Sequence, residues 1–167
     1  MLINTHSPEE TRNLGKNIGQ NLIAGDVILL FGNLGAGKTA LTKGLAIGLN
    51  IKPDNFVNSP TFTIINQYSA KIPIYHVDLY RVDSFFELEN LGLDEIIYGQ
   101  GITVIEWAEK LFQNSSIENQ LHYPFDRHLE ISIKIKEEND RLFEIKALNM
   151  KHIDDFLFSL QKRRRMT

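Results

Sequence analysis

Apolar residues recur along this chain at two periods, and the points where one gives way to the other mark its elements. Asp26 to Phe31 reads DVILLF, a short unbroken apolar run of the kind a strand shows when both of its faces are covered. Upstream, Thr11 to Ile23 (TRNLGKNIGQNLI) puts Leu14, Ile18 and Leu22 on one helical face. Its start is signalled by Ser7-Pro8-Glu9-Glu10: serine caps, proline takes the first turn, and the acids meet the positive end of the helix dipole. Downstream, Lys38 to Leu49 (KTALTKGLAIGL) spaces Leu41, Leu45 and Ile47 or Leu49 near a helical period. A loop rich in Asn and Pro, NIKPDNFVNSPTF (50–62), follows. Strands are predicted over TFTIINQY (61–68), IPIYHVDLY (72–80) and ITVIEW (102–107). Between the last two, Phe85, Leu88 and Leu91 suggest one short helix and Leu93, Ile96 and Ile97 a second.

From Arg127 the period drops to two. HLEISIKIK (128–136) and RLFEIKAL (141–148) alternate apolar with polar or charged residues around EEND, which argues an antiparallel hairpin with one wet face. A helix over Lys151–Leu160 closes the chain. The fold class that follows is α/β, a three-layer P-loop NTPase-like fold whose mixed sheet is parallel in its core and antiparallel at the C-terminal hairpin. At 167 residues one domain over 1–167 is expected, with 161–167, which includes QKRRR, as a flexible basic tail.

Composition narrows the chemistry. There is no Cys, so no disulfide framework and no thiolate metal site. The five His, at 6, 76, 122, 128 and 152, show no metal-ligand spacing and read as surface or core residues. The net charge of −3 argues against electrostatic binding of nucleic acid by the chain as a whole. MLINTHSPEE lacks the basic start and apolar core of a secretory signal, so a soluble cytoplasmic protein with no membrane association is expected.

The strongest chemical signal lies directly after DVILLF. GNLGAGKT, Gly32 to Thr39, fits G-x-x-x-x-G-K-[ST], whose backbone N–H groups cradle phosphates while the lysine reaches the β and γ groups and the hydroxyl helps hold Mg²⁺. Four fixed positions match by chance in well under about 1% of chains this long. Strand, glycine loop, helix is also the order the motif demands. Gly32, Asn33, Leu34, Gly35, Ala36, Gly37, Lys38, Thr39 and Ala40 are therefore the candidate nucleotide-binding set, with Thr39 a metal ligand.

Magnesium needs further oxygen ligands, and a P-loop takes one from an acid ending a neighbouring buried strand. Asp78 ends IPIYHVD and Glu106 ends GITVIE. Pattern alone does not choose between them. Ser59-Pro60-Thr61 lies where a hydroxyl could report the γ-phosphate by ordering its loop; Arg81 could stabilise transferring charge or pair with Asp78 or Asp83; Trp107, the single Trp, reads as core before contact surface.

Taken together, GNLGAGKT, SPTF (59–62), HVDLYR (76–81), ELENLGLDE (87–95) and VIEWAEK (104–110) resemble, in order and spacing, the TsaE (YjeE) family. The likeness spans about residues 7–110, and the set is far more specific than a P-loop alone. It implies a small bacterial ATPase of tRNA threonylcarbamoyladenosine biosynthesis. Such an ATPase works with TsaD and TsaB, which install threonylcarbamoyl on an adenosine beside the anticodon; it meets tRNA through that complex. Family ATPases are weak alone and stimulated in the complex, as if hydrolysis reset the machine between rounds. By the resemblance the cofactors are ATP and Mg²⁺, Lys38 binds the phosphates, and Thr39 with Glu106 holds the metal. Asp78 is the acid needed for hydrolysis, and Thr61 belongs to a switch-like loop. Trp107 sits near the partner surface, and Arg141, on the hairpin, reaches the adenine. SPTF stands where some relatives have SPTY, so no role rests on that aromatic hydroxyl.

Other P-loop classes fit poorly. A GTPase needs N-K-x-D or T-K-x-D, which the chain lacks, and a small-molecule kinase usually carries a lid with several arginines, whereas Arg81 is the one arginine between the P-loop and IEW. A nucleotide-gated binding module, in which docking and not turnover is the function, is the alternative from another class.

Overall fold

The computed structural model describes residues 1–51, 58–112 and 125–164. Its strands are β1 (Leu2–Thr5), β2 (Val27–Phe31), β3 (Ile65–Tyr68), β4 (Ile74–Asp78), β5 (Ile102–Glu106), β6 (His128–Ile135) and β7 (Arg141–Leu148). The helices are α1 (Pro8–Gly19), α2 (Lys38–Gly48), α3 (Phe85–Glu89), α4 (Leu93–Ile97) and α5 (Lys151–Arg164), with a 3₁₀ turn over Ala108–Leu111. All seven strands form one sheet in the order β1-β7-β6-β2-β5-β4-β3.

The four central strands, β6, β2, β5 and β4, run parallel. β2 lies in the middle of them, which is why VILLF is apolar at every position: Ile28 and Leu30 enter the core under α1, α2 and α5, while Val27 and Leu29 enter the core under α3, α4 and the 3₁₀ turn. That makes three layers, helix, sheet, helix, as the sequence predicts. Both borders are antiparallel, one more than expected, because β3 also pairs antiparallel with β4. β1 leaves no signal in the pattern: four residues are too few for a period to show, and its pairing with β7, Leu2 opposite Glu144, is long-range. TFTIINQY supplies a strand in its second half alone, with Ile64 at φ 63° turning the chain just before β3.

α1 begins as read, with Ser7 accepting from the Glu10 amide at 3.1 Å, but ends at Gly19, and Leu22 is buried in the turn that follows. Its contact with α2 is set by glycine. A Cβ on Gly44 would lie 2.2 Å from the Arg12 carbonyl oxygen, and one on Gly15 would lie 2.3 Å from the Leu41 carbonyl oxygen. Backbone therefore meets backbone along this seam, a spacing that any side chain forbids.

α5 runs beyond Leu160 to Arg164, with Lys162 over the Phe158 ring at 4.5 Å. Arg165 to Thr167, the rest of the expected tail, lie outside the described residues, as does His122. No helix among the described residues is long and apolar enough to cross a membrane.

Candidate functional site

β2 delivers the chain to the loop, and α2 takes it away. Gly32 leaves the strand at φ 142°, where a Cβ would lie 2.7 Å from the Ile133 carbonyl oxygen, and Gly37 caps α2 at φ 108° with no side chain bonded to the helix end. The first amides of α2 thus face the cleft uncapped, at the end of the dipole that attracts anions. Lys38 folds back over the loop, donating to the carbonyls of Gly32 and Asn33. Its ammonium also sits 3.7 Å from the Trp107 ring centroid, within cation–π range. Lys38 is 5% exposed; burial holds its ammonium below the ordinary lysine pKa, and the charges of Glu106, Glu109 and Asp78 partly restore it.

The parallel register of β4 and β5 sets Asp78 beside Glu106. Glu106 accepts at Oε2 from Thr39 Oγ1 at 3.0 Å, and at Oε1 from Thr42 Oγ1 at 3.1 Å and His76 Nε2 at 2.8 Å. Asp78 takes a different set of partners. Its Oδ2 accepts from Ser59 and, at 2.9 Å, from Thr61, while Oδ1 accepts from the Tyr80 amide at 3.0 Å. The two acids that pattern alone left tied take different partners: Glu106 meets the P-loop helix, and Asp78 holds the Ser59-Pro60-Thr61 loop.

These groups converge on one cleft of about 380 Å³, lined by Leu34 to Ala40, Ser59, Thr61, Asp78, Tyr80, Glu106 and Trp107. A magnesium nucleotide fits this donor set. Thr39 and Glu106 present two hard oxygens 3.0 Å apart, as ligands of one small cation should stand. No cluster of three or more His, Cys, Asp or Glu occurs in metal-holding geometry among the described residues; a cation held by Thr39 and Glu106 would need further oxygens from its ligand and water.

Gly32 and Asn33 contribute to the loop through the carbonyls that hold Lys38, and their side of it opens on a separate groove with Ser132 to Lys136. Arg141 does not line the cleft. Its Nε donates to the Ala36 carbonyl at 3.1 Å and an Nη to that of Gly35 at 3.3 Å, while the other Nη reaches the carbonyls of Glu137, Glu138 and Asp140. It braces the loop with the hairpin turn. Arg81 lies over the Phe62 ring at 5.2 Å, and Asp83 pairs with Lys110 at 3.1 Å. Trp107, half-buried and at φ 61°, forms the cleft wall against Tyr80, ring centroids 4.9 Å apart.

Sequence reasoning missed Thr42, Tyr80 and His76. Thr42 stands three residues after Thr39, on the same helical face, and His76 two before Asp78, on the same side of β4; both spacings were visible.

The sequence profile described as threonylcarbamoyl adenosine biosynthesis protein TsaE matches residues 5–143. The tRNA threonylcarbamoyladenosine biosynthesis protein TsaE of Bacillus subtilis is 44% identical over 149 residues, covering 89% of this chain and 86% of that protein. The protein of the same description from Rickettsia prowazekii is 36% identical over 154 residues, covering 92% and 95%. The crystal structure of Bacillus subtilis YdiB superposes with a TM-score of 0.73 at 34% identity, covering 98% of this chain and 95% of that one. A P-loop strand–loop–helix with its acid on the adjacent strand, in a chain matched along most of its length, leads to one conclusion: it belongs to the TsaE family of tRNA threonylcarbamoyladenosine biosynthesis.

Proposed function

We propose that residues 1–167 form one Mg²⁺-dependent ATP hydrolase domain that works in the cytoplasm with TsaD and TsaB, weak alone and stimulated in their complex, and meets tRNA through that complex. The observation that carries this reading is the approach of Thr39 Oγ1 to Glu106 Oε2 at 3.0 Å beside an uncapped helix start. Thr39 and Glu106 would hold Mg²⁺, which when bound neutralises charge on the phosphates. Lys38 would exchange its two loop carbonyls for the β and γ oxygens. Asp78, which lines the cleft with Thr61 and Ser59, would orient the attacking water and accept its proton, and the same hydrogen bonds would let the 59–61 loop respond to the γ-phosphate. Catalysis of this kind rests on positioning and electrostatics.

Calorimetry should detect magnesium-linked uptake of ATP and ADP, lost in Lys38→Ala. Steady-state hydrolysis should rise on adding TsaD and TsaB, and Asp78→Ala should keep nucleotide binding while losing that rise by about a hundredfold or more. Nucleotide-dependent assembly with no gain in rate would make the chain a docking module instead.

A further inference from the structure

Glu106 is bonded to its backbone through torsions that leave the carboxylate plane poorly determined, since the terminal torsion of a glutamate is broad. Hydrogen bonds must set it. Oε2 faces Thr39, the hydroxyl to be shared with a cation, so the anchors lie on Oε1: Thr42 Oγ1 at 3.1 Å and His76 Nε2 at 2.8 Å. Thr42 is a divided donor. Its hydroxyl also lies 3.0 Å from the Lys38 carbonyl oxygen, and one proton cannot serve both acceptors at once. His76 has no such competition: its Nδ1 is buried without a partner, and the residue is 0% exposed. Facing a carboxylate, Nε2 carries a proton, while Nδ1 is left without a partner inside the core. Burying that atom costs stability, and the contact it accompanies is a single directed one.

We infer that His76 is a positioning residue that sets the carboxylate plane of Glu106 so that one oxygen stands beside Thr39, ready for a divalent cation. The backbone supports the placement. Parallel register sets Val104 opposite His76 and Glu106 opposite Asp78, so the contact runs diagonally between the strands, from a position occupied by a side chain long enough to span it. The inference rests on the nucleotide reading above and deepens it.

The test is the Mg²⁺ concentration that half-maximally tightens ADP binding, followed by calorimetry with the full chain. ADP binding without Mg²⁺ and thermal unfolding are measured alongside. His76→Asn keeps a polar group but withdraws the donor from Glu106, whereas His76→Gln returns an amide N–H near the Nε2 position. His76→Asn should raise the Mg²⁺ requirement about tenfold, in the range typical of groups that orient a metal ligand, with Mg²⁺-free ADP affinity unchanged, and His76→Gln should restore it to within about threefold. Thr42→Val, which removes the divided donor, should shift the requirement the same way by a smaller factor than His76→Asn, and His76→Leu, which also lacks the donor, decides the matter by the same readout should His76→Asn not fold. Wild-type Mg²⁺ dependence in His76→Asn, equal shifts in Asn and Gln, or, in place of a foldable His76→Asn, wild-type dependence in His76→Leu, overturns the assignment while leaving the nucleotide reading intact. Absence of magnesium-linked ADP uptake in the wild type overturns both.

Discussion

Lys38 carries a charge into a place where charge is disfavoured. Burial lowers its pKa from the ordinary 10.5, and the acids around the cleft only partly oppose this. The sign for stability follows: the folded protein holds that proton less tightly than the unfolded chain, so the penalty is fully present below the lowered pKa and is relieved as pH rises through it towards 10.5. Lys38→Met should therefore be at least as stable as the wild type at neutral pH without nucleotide. The difference should shrink as the solution becomes alkaline. Thermal melts of both proteins across pH check this; a variant clearly less stable at pH 7 would mean that the two carbonyls and the Trp107 ring outweigh desolvation. Nucleotide binding should be lost in the same variant, so the group most needed for binding is one the resting fold gains least from.

At the scale of elements, the seam between α1 and α2 aims the phosphate-binding helix. Leu14, Ile18 and Leu41, Leu45 were legible as apolar faces, but the glycines beside them were not, because a helical period records what is buried and says nothing of how near two backbones come. Gly44→Ala brings the contrast out. Intrinsic propensity favours alanine in a helix by about 1 kcal/mol, yet its Cβ would lie 2.2 Å from the Arg12 carbonyl oxygen, against backbone that cannot swing aside. Net destabilisation of about 2 kcal/mol is expected, a fall of roughly 4–8 °C in Tm for a chain of this size. An unchanged or raised Tm would show that the helices do not approach so closely.

Over the whole molecule, the C-terminal third is joined to the P-loop half by strand pairing and by side-chain ties, of which two bear on the site and its strand. Asp26, 0% exposed and just before β2, accepts from Arg127 at 2.7 Å and lies 2.9 Å from His152 Nε2 in α5. Asp26→Ala removes a buried acceptor whose partners are themselves partly exposed and can turn to water, so it should cost about 1–2 kcal/mol in chemical denaturation; a change under about 0.5 kcal/mol would make the cluster incidental. The second tie is Arg141, expected from the resemblance to reach adenine and found bonded to the Gly35 and Ala36 carbonyls. If it acts as a brace, Arg141→Gln should weaken ATP and inorganic tripolyphosphate alike, by about tenfold or 1.4 kcal/mol. An adenine contact would weaken ATP alone.

Local pattern determined a good deal here: the buried central strand, the glycine loop entering a helix, the capped start of α1 and the alternating hairpin all follow from sterics and periods within a dozen residues. β1, the direction of β3, the helix seam and the partners of each acid came from tertiary structure alone. Asp78 and Glu106 looked equivalent by pattern because each ends an apolar run; the family resemblance assigned them different roles, but their partners appeared only when β2, β4 and β5 lay side by side. Thr39 meets Glu106 across 67 residues of chain, and strand order and register, not anything written near either residue, bring them together.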